Sequence, residues 1–173
     1  MSAGRPMPQR GFTLIELMIV LAIAALLLLL AAPAFTTFMA RQQLAGDVNQ
    51  LQSVLTFARS EAIKQRQPIT VEFSPPDELN ATRRPEACND APWCYWAESA
   101  QDGGEANVMR VGQADNITQP EGRFSLAFES LGDADISDCD DGDGQCEITL
   151  SGDAIDPVTI RVRETGSLRK VPL

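Results

Sequence analysis

Histidine is missing from the 173-residue sequence, and aromatic residues make up only 6% of it. Without an imidazole the chain lacks the commonest general base, the usual partner of serine and cysteine nucleophiles, and the commonest ligand of transition metals. Most familiar hydrolase mechanisms are therefore disfavoured. Basic residues are also scarce, since 14 stand against 24 acidic ones and give a net charge of −10. A chain with that charge repels the phosphate backbone of nucleic acids unless its bases are clustered.

The apolar residues are concentrated near the N-terminus, where Leu17–Ala32 contains only Leu, Ile, Val, Met and Ala. With the residues before it, this run would rise about 30 Å as a helix, the thickness of the hydrocarbon core of a bilayer. Arg5 and Arg10 precede the run, and residues 1–11 contain no acid. The positive-inside rule therefore places the N-terminus in the cytoplasm. The sequence predicts a membrane-spanning segment over residues 12–34, with everything after it outside the cytoplasm.

Glu16 interrupts the apolar stretch near its start. An isolated carboxylate in lipid costs several kcal/mol unless it has a partner, so we interpret Glu16 as functional. Two alternatives stay open. Glu16 could lie at the headgroup boundary and extend its carboxylate into water. The stretch could also be an ordinary secretory signal cleaved near Ala34, because Ala32-Pro33-Ala34 is close to a small-x-small cleavage site.

The segment Gly11-Phe12-Thr13-Leu14-Ile15-Glu16-Leu17 resembles the class III signal of type IV pilins and type II secretion pseudopilins. The resemblance implies that a prepilin peptidase cleaves between Gly11 and Phe12, which removes residues 1–11 as a leader peptide. It also implies methylation of the new amino terminus at Phe12. Finally, it implies that Glu16 meets the N-terminal amine of a neighbouring subunit during filament assembly, a pairing that would satisfy a carboxylate buried in lipid.

Residues 35–66 change to an amphipathic pattern. Their apolar positions recur at alternating steps of four and three, the period of one helix face: Leu44, Val48, Leu51, Leu55, Ala58 and Ala62. Gln67-Pro68 should end the helix, which we expect to run from Phe12 to about Arg66. The stretch Ala58–Lys64, followed by Pro68–Val71, is similar to the GspH/FimT family of minor pseudopilins and minor pilins.

The hydrophobic period becomes two after residue 67, as expected for half-buried strands. Such alternation appears at Ile69–Phe73, Phe124–Phe128, Ile148–Leu150 and Val158–Arg163, with Trp93–Ala97 and Val108–Val111 as further candidates. One antiparallel sheet, or two small ones, could cover the apolar stripe of the helix. The predicted fold is α+β and pilin-like: a long N-terminal helix, half transmembrane and half amphipathic, packed on an antiparallel sheet domain over residues 67–173 with disulfide-stapled loops.

The four cysteines occur as two local pairs. Cys88 and Cys94 enclose five residues, and Cys139 and Cys146 enclose six. In an oxidising compartment two short disulfides are the natural pairing, although sequence alone allows three connectivities. A four-cysteine zinc site is the alternative, without the CxxC spacing that such sites usually have.

The region around the second cysteine pair is the most acidic of the chain. Asp138, Asp140, Asp141 and Asp143 are hard oxygen ligands and weak calcium candidates. EF-hand spacing fails, because aligning Gly144 with the required glycine puts Cys139 at the first ligand position. The alternative is a solvated acidic loop. No cofactor is expected.

Arg161, Arg163, Arg169 and Lys170 form the basic patch of the exported part and could contact an anion such as DNA. In competence-type members of the FimT branch, a Gly-Arg-x-Arg tail motif carries DNA binding. The tail here reads Gly166-Ser167-Leu168-Arg169, without the first arginine. More simply, the alternating Arg161 and Arg163 would form the exposed face of the last strand, so DNA is not expected as a partner.

Together, these features predict a structural subunit and not an enzyme. It would cross the bacterial inner membrane once, with its N-terminus in the cytoplasm and its C-terminal domain in the periplasm. Its partners would be prepilin peptidase and the other pseudopilins or pilins of a type II secretion pseudopilus or a type IV pilus, in which helices pack together. A DNA-binding minor pilin for DNA uptake and a soluble secreted binding domain are the alternatives.

Overall fold

A computed structural model of the chain describes residues 12–76, 84–89, 92–100, 106–139, 142–153 and 155–172, and the side chains of these except residues 29–33, 100 and 172. The chain divides into two compact units, of which the first ends at Phe38 and the second begins at Met39. The two units are described separately below.

One helix, α1 (Leu14–Gln65), supplies residues to both units. It begins where the Thr13 hydroxyl accepts a hydrogen bond from the amide of Glu16, 3.3 Å away, which satisfies one of the free donors of the first turn. It ends before Arg66, whose φ of 54° is left-handed and is followed by Gln67-Pro68. The predicted helix is therefore confirmed to within about two residues at either end, the usual uncertainty of helix boundaries.

In the first unit, the large apolar side chains of Leu14–Leu28 are each more than half exposed. Within the part of the chain whose side chains are described, no helix is long and apolar enough to cross a membrane. The membrane crossing of residues 12–34 stays a prediction from the sequence.

The described part of the second unit contains two antiparallel sheets. In chain order the strands are β1 (Ile69–Ser74), β2 (Trp93–Ala100), β3 (Ala106–Ala114), β4 (Ile117–Gln119), β5 (Phe124–Phe128), β6 (Ala134–Asp135), β7 (Gln145–Gly152), β8 (Ile155–Arg163) and β9 (Leu168–Pro172). The first sheet has the order β3-β2-β1-β5-β6, and the second has the order β4-β7-β8-β9. A 3₁₀ turn, Glu86–Cys88, lies between β1 and β2. The α+β fold class predicted from the sequence is confirmed, with two sheets.

One core joins the amphipathic half of α1 to both sheets. All six positions of the predicted apolar stripe are buried, and Leu44, with 6% of its surface exposed, is the most accessible of them. The sheets contribute alternate residues to this core, among them Val71, Phe73, Leu126, Ile148 and Ile160. Each sheet therefore has one face covered by the helix. The apolar residues alternate along the strands because only every second side chain faces this core.

The first sheet is also covered on its other face near β2. Cys88, Cys94 and Trp96 form a small second core, against which Val111 packs. The Arg84 guanidinium is buried beside it and donates to the Cys88 carbonyl at 3.2 Å and the Pro75 carbonyl at 2.9 Å. Strand β2 is consequently buried on both faces, and its aromatic residues are core residues.

Three strands were not predicted, namely β4, β6 and β9. The last of them corrects one expectation, because β8 is followed by β9 and is not the last strand. Strand β9 was missed because its residues Leu168–Pro172 carry two adjacent basic side chains and little alternation. It pairs with β8 as the edge strand of the second sheet, where charged side chains and a proline are tolerated.

Candidate assembly and docking surfaces

The residues predicted for processing and assembly lie at the start of the chain. Gly11 is outside the described residues, whereas Phe12 is 84% exposed. Glu16 lies in the first turn of α1 and is exposed. A carboxylate at this end of a helix interacts favourably with the helix dipole. Within the described residues its carboxylate forms no hydrogen bond or ion pair.

Arg59 connects α1 to loops of both sheets. Its Nε donates to the Gly132 carbonyl at 2.8 Å, and its Nη2 donates to the Thr165 carbonyl at 3.3 Å. Gly132 follows β5, and Thr165 belongs to the turn between β8 and β9. The amide of Ala134 also donates to the Glu164 carbonyl at 2.7 Å. This junction fixes the end of the second unit that contains the C-terminal turns of the helix and the basic tail.

Gly166 completes that junction. Its φ of +70° is left-handed, and a Cβ built on it would overlap the carbonyl oxygen of Gly132 and lie 3.0 Å from Nε of Arg59. Only glycine fits both the conformation and the space. Gly166 is the first residue of the tail segment in which the resemblance suggested DNA binding, and the structure gives it a packing role.

Of the four basic tail residues, Arg161, Arg163 and Arg169 lie on one face of the second sheet, and Lys170 lies on the other. Arg161 lies opposite Glu147 in the register of β7 and β8, and its guanidinium is ion-paired to that carboxylate, with Nε 2.8 Å from Oε1. Arg169 of β9 also lies opposite Arg161, on the side of β8 away from Glu147. Lys170 lies opposite the buried Ile160 and is therefore on the other face of the sheet. Arg161 is committed to an internal pair, which weakens the patch as an anion-binding surface.

The predicted calcium candidates are only partly described. Asp140 and Asp141 lie outside the described residues. Asp138 is exposed, and its Oδ2 accepts a hydrogen bond from the Ser125 hydroxyl at 2.6 Å. Among the described residues no group of three or more His, Cys, Asp or Glu side chains could hold a metal ion. The described part of the acidic loop is thus tied to the sheet by a hydrogen bond. Calcium binding and a solvated loop both stay predictions from the sequence.

Both local disulfides are present. Cys88 is bonded to Cys94, and Cys139 is bonded to Cys146, with Cα separations of 5.7 and 5.2 Å. No cysteine is free, so no thiolate is left for the alternative zinc site. The first disulfide holds the segment before β2 against the second core, and the second disulfide closes the acidic loop onto β7.

Asp47 of α1 lies beside the turn between β3 and β4. Its Oδ2 accepts a hydrogen bond from the amide of Asp115 at 3.0 Å. Burial raises the pKa of the Asp47 carboxyl above its ordinary value, the hydrogen bond partly offsets this rise, and the charge of Asp115 adds to it. Burial also raises the pKa of the nearby Tyr95 hydroxyl, which donates to the Gln113 carbonyl at 3.1 Å. No sequence pattern indicates this site, because Asp47 and Asp115 are far apart along the chain.

Comparison with known proteins identifies the family to which this chain belongs. The family model described as type II transport protein GspH matches residues 47–169, and the prokaryotic N-terminal methylation motif matches residues 6–32. The chain belongs to the GspH family. Members of this family are structural pilin or pseudopilin subunits and not enzymes, which confirms that part of the sequence interpretation.

The fold of this GspH-family chain is similar to that of the type IV minor pilin FimU of Pseudomonas aeruginosa, known from a crystal structure. The TM-score is 0.50 at 15% sequence identity, over 78% of this chain and 92% of that one. Two proteins of Pseudomonas aeruginosa called "Fimbrial protein" are each 41% identical to it over 69 residues, which is 40% of this chain. The chain spans 44% of the length of these relatives.

Proposed function

We propose that this GspH-family chain is a minor subunit of a type II secretion pseudopilus or a type IV pilus. Residues 1–11 would be removed by prepilin peptidase, residues 12–34 would anchor the chain in the inner membrane, and the second unit would lie in the periplasm. The subunit would then enter the filament by packing α1 against the helices of its neighbours. It would act by occupying a position in the filament and by presenting its domain to partners.

The observation that carries this proposal is the difference between the two parts of α1. In the second unit the apolar face of the helix is buried under two sheets, whereas in the first unit the large apolar side chains of Leu14–Leu28 are more than half exposed. Burying one such side chain stabilises by about 1.5–3 kcal/mol, so this segment needs an apolar environment from outside the chain. A bilayer before assembly and a helix bundle after assembly both provide one.

Glu16 gives this assembly its register. A carboxylate that enters an apolar bundle without a partner costs several kcal/mol, and the free amine of Phe12 in a cleaved neighbour is a cation at the depth of the same apolar segment. Only the position that brings the amine to the carboxylate removes this cost. The absence of any partner for Glu16 within the described residues supports this role.

A substitution pair tests the assembly role in the natural host. Glu16→Leu removes the charge, and Glu16→Asp keeps it on a shorter side chain. We expect the Leu variant to be cleaved and inserted normally but to be lost from sheared, purified filaments, while the Asp variant is retained at an intermediate level. Immunoblots of membrane and filament fractions measure both. Wild-type amounts of the Leu variant in filaments would contradict the role of Glu16.

The processing step has its own test. The intact mass and N-terminal sequence of the chain from the membrane fraction should show a chain that begins at Phe12, carries one methyl group and contains both disulfides. A mature chain that begins near Phe35 would instead support the soluble secreted domain. A strain that lacks the gene for this chain then identifies the machine that it serves. Loss of secretion of type II substrates would indicate the pseudopilus, and loss of pilus-dependent motility would indicate the type IV pilus.

A further inference from the structure

A groove opens in the second unit between α1 and the turns that follow β3 and β7. It has a volume of about 240 Å³. Met39 of the helix provides apolar surface, and Ser151 and Gly152 form part of the opposite wall. Met39 is 51% exposed although it is a large apolar side chain. The groove therefore offers apolar contact area that nothing in the described part of the second unit covers.

Three carboxylates surround this apolar surface. Asp47, Asp115 and Asp153, called the groove aspartates below, all line the groove, and no lysine or arginine is among the lining residues. The Asp47 carboxylate accepts a hydrogen bond from the Asp115 amide at 3.0 Å, and burial, more than the charge of Asp115, raises its pKa and so disfavours its charged form. Such an arrangement destabilises the isolated chain, and a cation in the groove would reverse the effect.

We propose that this groove receives a helical segment of a neighbouring filament subunit, with a lysine or arginine of that segment placed among the groove aspartates. The aliphatic stem of a lysine or arginine fits an apolar surface such as that of Met39, while its charged end reaches the carboxylates. This inference rests on the proposed function. It goes further by naming where on the second unit a neighbour docks and which charge it carries.

Other occupants fit the groove less well. A divalent cation prefers six or more oxygen ligands and gains nothing from an apolar surface. The described residues also contain no group arranged to hold a metal ion. The surface of an anionic membrane would be repelled by three carboxylates. Position favours a subunit, because Met39 and Leu44 belong to α1, the same helix whose earlier residues form the proposed assembly surface.

Site-specific photo-crosslinking in the natural host tests the docking. p-Benzoylphenylalanine replaces Gln43, an exposed residue at the groove, in the full-length chain. Irradiation should produce an adduct with another subunit that carries a pilin-type N-terminal motif. Mass spectrometry should locate the adduct in a helical segment that contains a lysine or arginine. An adduct located elsewhere on the partner, or found only with lipid, would overturn the inference.

Neutralising the groove aspartates provides a second test of the docking. Changing the groove aspartates together by Asp47→Asn, Asp115→Asn and Asp153→Asn keeps the shape of the groove and should lower the adduct yield about tenfold, as expected when one side of a close charge pair is removed. The same variant should melt at a higher temperature than the wild type, because the partly buried Asp47 no longer carries a charge. An unchanged adduct yield in this stably folded variant would also overturn the inference.

A matched control neutralises as many acids outside the groove. Glu121→Gln, Asp133→Asn and Glu164→Gln change exposed side chains that do not line the groove, and this variant should keep the wild-type adduct yield. A probe at Leu21 reports the helix bundle separately. Adducts from Leu21 without adducts from Gln43 would overturn the groove alone, whereas the loss of both would also remove the proposed function.

Discussion

Gly166→Ala should destabilise the second unit through a specific contact between two turns. The alanine Cβ would overlap the Gly132 carbonyl oxygen, and that oxygen is held in place by the Nε of Arg59 at 2.8 Å. The turn cannot give way freely, because the amide of Gly166 also donates to the Arg163 carbonyl at 2.7 Å. The substitution must therefore shift backbone in both turns or break the hydrogen bond of Arg59.

The expected magnitude has two parts. A left-handed conformation costs an alanine about 1–2 kcal/mol, and forcing a methyl group into an occupied space costs about 1–3 kcal/mol more. Gly122 isolates the first part, because its φ is +75° but a Cβ there meets nothing within 4 Å. Gly122→Ala should therefore lose only the conformational part, and the difference between the two variants measures the overlap at Gly166.

Thermal unfolding of the full-length chain in detergent micelles measures both variants. Both tryptophans lie in β2, so tryptophan fluorescence reports the second unit without contribution from the apolar segment. For a chain of this size about 1 kcal/mol corresponds to roughly 2–4 °C, so Gly166→Ala should melt about 2–12 °C below Gly122→Ala. Equal melting temperatures for the two variants would refute the contact between the turns.

Three further predictions concern the second unit. Arg59→Ala removes two hydrogen bonds to carbonyls and should lower the free energy of unfolding by about 1–3 kcal/mol in denaturant titrations, whereas Arg66→Ala, at an exposed position, should have little effect. The pKa of Asp47 is higher in the folded state than in the unfolded state, so the folded chain loses stability as the pH rises above the ordinary carboxyl pKa of 3.8. The melting temperature of Asp47→Asn should therefore exceed that of the wild type at pH 7 and approach it in acid. Changing Cys88 and Cys94 together to serine should cost about 2 kcal/mol for so short a loop and shift the tryptophan emission, since the disulfide packs against a tryptophan.

The parts of the fold that sequence could predict are those in which one face of an element is buried. Leu44, Val48 and Leu51 recur at helical spacing because one side of α1 faces the core. Strand β5 alternates because only one side of its sheet faces the helix. The strands that were missed lack this signal. β6 has two residues, and β9 is an edge strand with charged side chains, so their pairing depends on neighbours that are distant in the sequence.

The candidate sites divide in the same way. The processing and assembly residues form one continuous motif, so the sequence contains all of it. The junction at Arg59 could be located only in part, because its acceptors are backbone carbonyls of Gly132 and Thr165 and carry no sequence signal. The groove could not be predicted at all. Asp47 and Asp115 are separated by 68 positions, and only the folding of β3 against α1 brings them together.

The two proposed surfaces have different physical tasks. Moving the apolar segment from a bilayer into a helix bundle changes its environment little, because lipid tails and apolar side chains are about equally apolar, so this step supplies little selectivity. Selectivity must then come from charges. Glu16 penalises any arrangement that leaves it without a cation in an apolar environment, and the groove aspartates favour a neighbour that brings a cation to the second unit. A subunit that satisfied only one of them would be held less tightly than one that satisfied both, and the pair of charges would thereby distinguish neighbours that the apolar helix alone cannot.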